Sequence, residues 1–338
     1  MTIPRIAIGV FLLDALLGQP LNAADPPPEV LWEVAEDGKS TGMSDPLVAG
    51  RFVIVGTDVG FLRAFRAATG KEVWRYSLGA RIYARPDQDN DRIYAIGEVR
   101  WTANIVRDAP RDAPGFDGRR ARFEGKAARP TAANFAEGCV FISIFDQSRV
   151  VGFDVADGSK KFDYQASGWV YHRAAVDGDR VFIGSQDRAM HCVDRRTSKH
   201  LWSCRTDARI ESSAAVDKGR IYFGSCDGRF YCLDRESGDE IWVFDTSTGA
   251  KKKSIYSDPL IIDDLVCFAA GEGQVYGLDL ASGKLRRKLR AVHDSELFSS
   301  PANKGTLLFI TSRPALDAGG KPTTGKNALA AIDLNVGR

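Results

Sequence analysis

An all-β fold, a seven-bladed β-propeller of four-stranded antiparallel blades, is predicted by three features of the sequence. One phrase recurs along the chain at a spacing of about 40–45 residues, the expected period of blades with four strands each. Before each phrase comes a strand-forming run divided by a tight turn. The last copy of the phrase stops before its outer strand, and the segment VLWEV at 30–34 has the form of the missing piece.

In chain order, the N-terminus reads as an export signal. Arg5 supplies the positive end, and Ile6 to Leu17 is apolar apart from Gly9 and Asp14. Asn22-Ala23-Ala24 then offers a small-residue cleavage site ahead of Asp25-Pro26-Pro27-Pro28. The expected organisation is a signal peptide over 1–24 and a single propeller domain over 25–338, with the mature protein periplasmic or secreted. The alternative, an uncleaved anchor, is disfavoured because about twelve apolar residues are too few to cross a bilayer. No other stretch approaches the length of a membrane helix, so no membrane span is expected in the mature form. No cysteine stands at the cleavage site to carry a lipid.

The phrase appears as AFRAATGKEVWRY (64–76), GFDVADGSKKFDY (152–164), CVDRRTSKHLWSC (192–204), CLDRESGDEIWVF (232–244) and GLDLASGKLRRKL (277–289), with a shortened copy, AIDLNVGR, at 331–338. Its turn position falls at Gly70, Gly158, Ser198, Gly238, Gly283 and Gly337. The 88 residues between Gly70 and Gly158 are about twice the usual spacing of 40–45, so a degenerate copy fills the gap, with Gly118-Arg119 at its turn and Phe123 beyond it. Seven units result. Within each unit, runs such as RVFIGSQDRAMHCVD (180–194) and RIYFGSCDGRFYCLD (220–234) read as two alternating strands around a Ser-x-Asp-Gly-like turn. The aspartate ending the third strand (Asp154, Asp194, Asp234, Asp279, Asp333) is placed to accept bonds from the amides of the next turn. Trp74, Trp202 and Trp242 then fall on outer strands, where a large ring covers the edge of the next blade.

Composition agrees with such a fold. The 33 glycines and 10% aromatics suit many short strands and tight turns, and 44% hydrophobic residues supply a large core. Lysine plus arginine number 46 against 44 acidic residues, a net charge of +2, so no nucleic-acid partner is expected. The cysteines at 139, 192, 204, 226, 232 and 267 show no CxxC spacing. Cys192 with Cys232, and Cys139 with Cys267, are expected at shared repeat positions, as small apolar fillers of strands. An exported chain can also oxidise a pair, and the sequence does not fix a connectivity.

The phrase A-x-D-x-x-T/S-G-K-x-x-W resembles the repeat of the PQQ-like (pyrroloquinoline-quinone-type) propeller family, and the resemblance runs from residue 30 to 338. It implies the propeller fold. For function it implies less, because the family spans quinoprotein alcohol dehydrogenases, a scaffold lipoprotein of outer-membrane protein assembly and other exported propellers. The dehydrogenases resembled here are longer, usually eight-bladed, and carry a vicinal disulfide facing the quinone. This chain has no Cys-Cys pair, and the calcium-binding Glu and Asn and the catalytic Asp of those enzymes fall on no matching motif. No cofactor is therefore expected, with pyrroloquinoline quinone plus calcium as the alternative.

No GxSxG elbow, HExxH, phosphate-binding loop or dinucleotide fingerprint is present. His172, His191, His200 and His293 lie in different repeats without metal-ligand spacing, and Asp227-Gly228 reads as a hairpin turn. The candidate site is instead a column at the start of the innermost strands. Aligning MSDP, YARP, AARP, YHRA, ESSA, YSDP and FSSP gives Asp45, Arg85, Arg129, Arg173, Ser213, Asp258 and Ser300. Two residues earlier, on the same strand face, stand Met43, Tyr83, Ala127, Tyr171, Glu211, Tyr256 and Phe298. Innermost strands line the axial channel. Either Arg85 and Arg173 pair with Asp45 and Asp258 to plug the channel, or the three arginines with Tyr83, Tyr171 and Tyr256 hold an anionic or carbohydrate-like ligand at its mouth. Two insertions, 107–122 and 313–327, lengthen the second and last blades and offer partner-binding loops. The expected function is binding or scaffolding of protein partners. A quinone-dependent oxidoreductase or a ligand-binding propeller is the alternative.

Overall fold

The computed structural model describes residues 30–35, 43–49, 51–59, 61–77, 87–89, 92–95, 102–107, 120–122, 130–154, 159–247, 253–271, 273–290, 295–296, 300–304, 307–314 and 328–333. The leader at 1–24, most of the two insertions, and Arg85, Arg129 and Tyr83 lie outside the described residues.

The described residues form seven antiparallel sheets. Blade 1 comprises Leu47–Ala49, Phe52–Gly56, Phe61–Arg66 and Glu72–Ser77. Blade 2 follows with Asp87–Asp89, Arg92–Ala95, Thr102–Arg107 and Arg120–Arg122, so the 107–122 insertion joins its two outer strands. Blade 3 is Pro130–Ala136, Cys139–Ile144, Arg149–Asp154 and Lys160–Gln165. Blade 4 is Ala175–Asp177, Arg180–Gly184, Ala189–Asp194 and His200–Arg205. Blade 5 is Ala215–Asp217, Arg220–Gly224, Arg229–Asp234 and Glu240–Asp245. Blade 6 is Leu260–Ile262, Leu265–Ala270, Gln274–Asp279 and Leu285–Arg290.

Blade 7 is assembled from both ends of the chain. Ala302–Lys304, Leu307–Pro314 and Ala328–Asp333 supply three strands, and Val30–Ala35 pairs antiparallel with Ala328–Asp333 as the outermost one. Val30 faces Ile332 and Val34 faces Leu329, as the VLWEV segment predicts. A short strand, Ser295–Glu296, pairs with the far end of Leu307–Pro314. The innermost strands neighbour one another in a closed cycle, from blade 1 through blade 7 and back.

The repeated phrase sets the geometry between blades. Asp194 and Asp234 each accept two amides of the following turn (Arg196 and Thr197; Glu236 and Ser237), and Asp279 accepts that of Ser282. The residue closing the turn is left-handed at Gly70, Ser198, Gly238 and Gly283. A register shift follows one fixed position of the third strand in blades 1, 3, 4, 5 and 6, a bulge that turns the outer strand. Trp202 of blade 4 thereby lies on the turn of blade 5, its Nε1 donating to Arg235 O at 3.2 Å. Trp242 of blade 5 repeats the contact on blade 6, donating to Leu280 O at 3.3 Å. Trp74 of blade 1 is part-buried, and its Nε1 has no acceptor among the described residues.

Two expectations need correction. The second and third strands are not half-exposed: Phe52–Gly56 and Ala189–Val193 are buried on both faces. Each sheet is sandwiched between neighbours, which leaves no solvent face for the alternation to serve. Cys192 and Cys232 do share a register position in third strands, but Cys139 and Cys267 do not, because Cys139 opens its strand and Cys267 is third in its own. All six cysteines are free, four of them buried. Stacked rings fill the gap between blades 5 and 6, with Phe230 and Phe268 centroids 4.0 Å apart.

Candidate functional site

The aligned column is real in register. Asp45, Arg173, Ser213, Asp258 and Ser300 each stand two residues before the innermost strand of their blades. A serine one position earlier pins this entry. Ser212 Oγ donates to Gly224 O at 2.9 Å and accepts from its amide at 3.0 Å. Ser257 does the same with Ala269, and Ser44 accepts from the Gly56 amide. Each chain segment is thus clamped to the second strand of its own blade before turning inward.

Asp258 of blade 6 is the hub. Its Oδ1 accepts from the Ser213 amide of blade 5 at 2.7 Å and meets His172 Nδ1 of blade 4 at 3.1 Å. Its Oδ2 accepts from Arg173 Nε at 3.1 Å, and its amide donates to Ser300 Oγ of blade 7 at 2.8 Å. Burial works against the Asp258 charge, but the bond from His172, the charges of Arg173 and His172 and the Ser213 amide outweigh it and hold the carboxyl well below the aspartate range. Burial would also lower His172, yet its bond to Asp258, with the charges of Asp258, Asp45 and Glu211, raises it. Asp45 of blade 1 is raised, by burial first and then by the Asp258 charge, against bonds from the Ser300 hydroxyl and amide. Five blades meet in this cluster. Arg173 pairs with Asp258 across blade 5.

His172 has no metal-ligand spacing to mark it. The signal lies in the column itself: where MSDP, ESSA, YSDP and FSSP carry serine, YHRA carries histidine. Its carbonyl is held from blade 3 by Ser143 Oγ at 2.7 Å, so the segment stays fixed while the imidazole turns to Asp258.

Tyr171 and Tyr256 stand two residues before Arg173 and Asp258, and both are part-buried. Phe145, in the turn between the second and third strands of blade 3, lies 4.3 Å by ring centroids from Tyr171 and 4.6 Å from Trp169. Trp169 is 48% exposed, although its loop is locked. Gln186 N donates to Trp169 O at 2.9 Å, and Ser185 Oγ donates to Gly168 O at 3.0 Å. Beside this ladder Glu211 accepts from Arg209 Nε and Gln186 Nε2, both at 2.7 Å. Burial first, then the Glu211 charge, raises the Tyr171 hydroxyl. The Trp169 position was also legible: the equivalent residues in the next two blades are the polar Arg209 and Ser254. Among the described residues, no group of three or more His, Cys, Asp or Glu side chains is placed to hold a metal ion.

A family model described as outer membrane protein assembly factor BamB matches the chain over residues 19–168 and again over 97–337. No curated protein matches. Among solved structures the chain is similar to the crystal structure of the computationally designed Ika8 protein, with a TM-score of 0.62 over 90% of this chain and 99% of that one. At 15% identity that likeness concerns the fold.

Proposed function

The chain belongs to the PQQ-like repeat family of the outer membrane protein assembly factor BamB, and from that premise we propose an exported propeller that binds and positions protein partners. The observation that carries the reading is the Trp169–Phe145–Tyr171 ladder. A large ring left half-exposed on a loop fixed by three neighbouring backbone and side-chain bonds forfeits little freedom on binding, as interface anchors do. The axial cluster supports the same reading from the other side. Arg173 and His172 already share the Asp258 carboxylate, so the described cations of the channel are engaged within the ring.

Export is part of the proposal and rests on the leader-like residues 1–24. No helix among the described residues is long and apolar enough to cross a membrane. We assign no cofactor to the site, and Arg85 and Arg129 are left as the candidates for any anionic ligand at the channel mouth. In-cell cross-linking of a tagged chain tests the function. The expected outcome is a defined protein partner joined to the wild type and lost with Trp169→Ala. Recovery of the chain free of any partner overturns the reading.

A further inference from the structure

Around the aromatic ladder the charges do not balance. The third strand of blade 4 turns His191 toward blade 3, where Nδ1 meets Tyr164 Oη at 3.1 Å, while Nε2 meets Asp187 of blade 4's own turn at 3.0 Å. His191 pairs in register with Ser203, and Ala189 with Arg205, so Arg205 lies on this same blade face, against which the Trp169 loop is laid. Arg188 precedes Ala189 in the adjoining turn, and its carbonyl accepts from the Thr206 amide at 2.8 Å. Both arginines are exposed. Their neighbours are matched: Arg209 by Glu211, Arg229 by Asp207, and Asp187 by His191. Among the described residues no carboxylate lies within ion-pair distance of Arg188 or Arg205.

We propose that this corner of blade 4 is the docking site for an extended acidic segment of the protein partner, with an apolar or aromatic residue seated on Trp169 and carboxylates on Arg188 and Arg205. The proposal rests on the protein-binding reading and deepens it. Guanidinium forks favour carboxylates in two-point contact, and the exposed indole supplies the buried area that paired charges alone do not. Arg188 is held in the left-handed region at φ 70°, in a turn position where blades 5 and 6 place Gly228 and Gly273 and blade 3 places Ser148, which fixes the base of its side chain beside the loop.

The test is photo-cross-linking in the cell from a photoreactive residue placed at 169, and separately at 59 and 256. It is repeated in an Arg188→Asn, Arg205→Gln background, with asparagine chosen because it tolerates positive φ. A melting curve checks that each variant folds. The expected result is an adduct at 169 that mass spectrometry maps to an acidic stretch of a partner. Its yield should fall about tenfold in the double variant, the effect of two partly exposed pairs. Adducts at 59 or 256 but none at 169, an adduct unchanged by neutralisation, or an adduct to a lipid or a second copy of this chain overturns the docking site and leaves the protein-binding reading standing. No adduct from any of the three positions overturns both.

Discussion

Asp258 gathers donors from two other blades onto one carboxylate, so its loss is felt by all of them. Asp258→Asn should leave Arg173 and His172 facing a neutral amide in a site with little access to water. Breaking such a pair from one side costs about 3 kcal/mol, and urea unfolding should show it as a lower midpoint with an unchanged slope. His172 makes a second prediction, on pH. Its folded value is raised, so the stability its proton supplies is full below the ordinary histidine value of about 6.5 and is lost as pH climbs through the higher folded value. Asp258 is depressed, so its share is present above the ordinary aspartate value of about 3.9 and is lost as pH falls through its folded value. The melting midpoint should therefore decline on the alkaline side, and His172→Gln should flatten that limb and also weaken the acid limb, since the His172 bond is the largest of the effects that depress Asp258. Both residues sit where the repeat alignment puts them. Asp258 was legible as a member of the column, whereas His172 becomes legible only when the serine it replaces is noticed.

At the scale of the element, the turn residue of one blade and the outer-strand residue of the blade before it form a pair. Gly238 has φ 76°, and a Cβ there would come within 2.6 Å of the Trp202 ring; Gly283 stands in the same relation to Trp242. Ser198 occupies this position in blade 4, and the outer strand before it carries Phe162 in place of tryptophan. Its hydroxyl accepts instead from the Asp163 amide at 3.0 Å. Gly238→Ser or Gly283→Ser should thus cost about 1–3 kcal/mol through strain and overpacking. Ser198→Gly should cost about 1 kcal/mol, the share of one hydrogen bond, and thermal unfolding of the three variants will separate the two classes. Seven units, their turns and their order were readable because the phrase repeats wherever a blade does. The two-sided burial of Phe52–Gly56 was not, since a strand's own residues do not reveal a second sheet against its outer face. The exposed Arg188 and Arg205 were unreadable for a similar reason: that no carboxylate among the described residues lies within ion-pair distance of them depends on which loops come to lie beside blade 4.

For the molecule as a whole, Val30–Ala35 joins the two ends of the ring. Deleting residues 25–35 should expose the edge of Ala328–Asp333 and lower the melting midpoint by several degrees, about 1.5 °C for each kcal/mol at this size. An unchanged midpoint would mean that the pairing contributes nothing to the closed form. The whole ring also bears on chemistry: purified protein mixed with equimolar pyrroloquinoline quinone and calcium is expected to stay colourless after gel filtration. Stoichiometric retention of the chromophore would restore the oxidoreductase reading.

The joint in blade 7 also sets a timetable. Val30 emerges from the ribosome roughly 300 residues before its partner Ile332, an interval of about 15–60 s at ordinary synthesis rates. Throughout that interval one half of the clasp has nothing to fasten to. A chain broken off anywhere before Ala328 never acquires the other half, so it carries an unmatched strand ahead of its first blade as well as an open edge at its break. Incomplete copies should therefore be open to proteases at both ends, and limited proteolysis of a chain ended before Ala328, run beside the full chain, will show it.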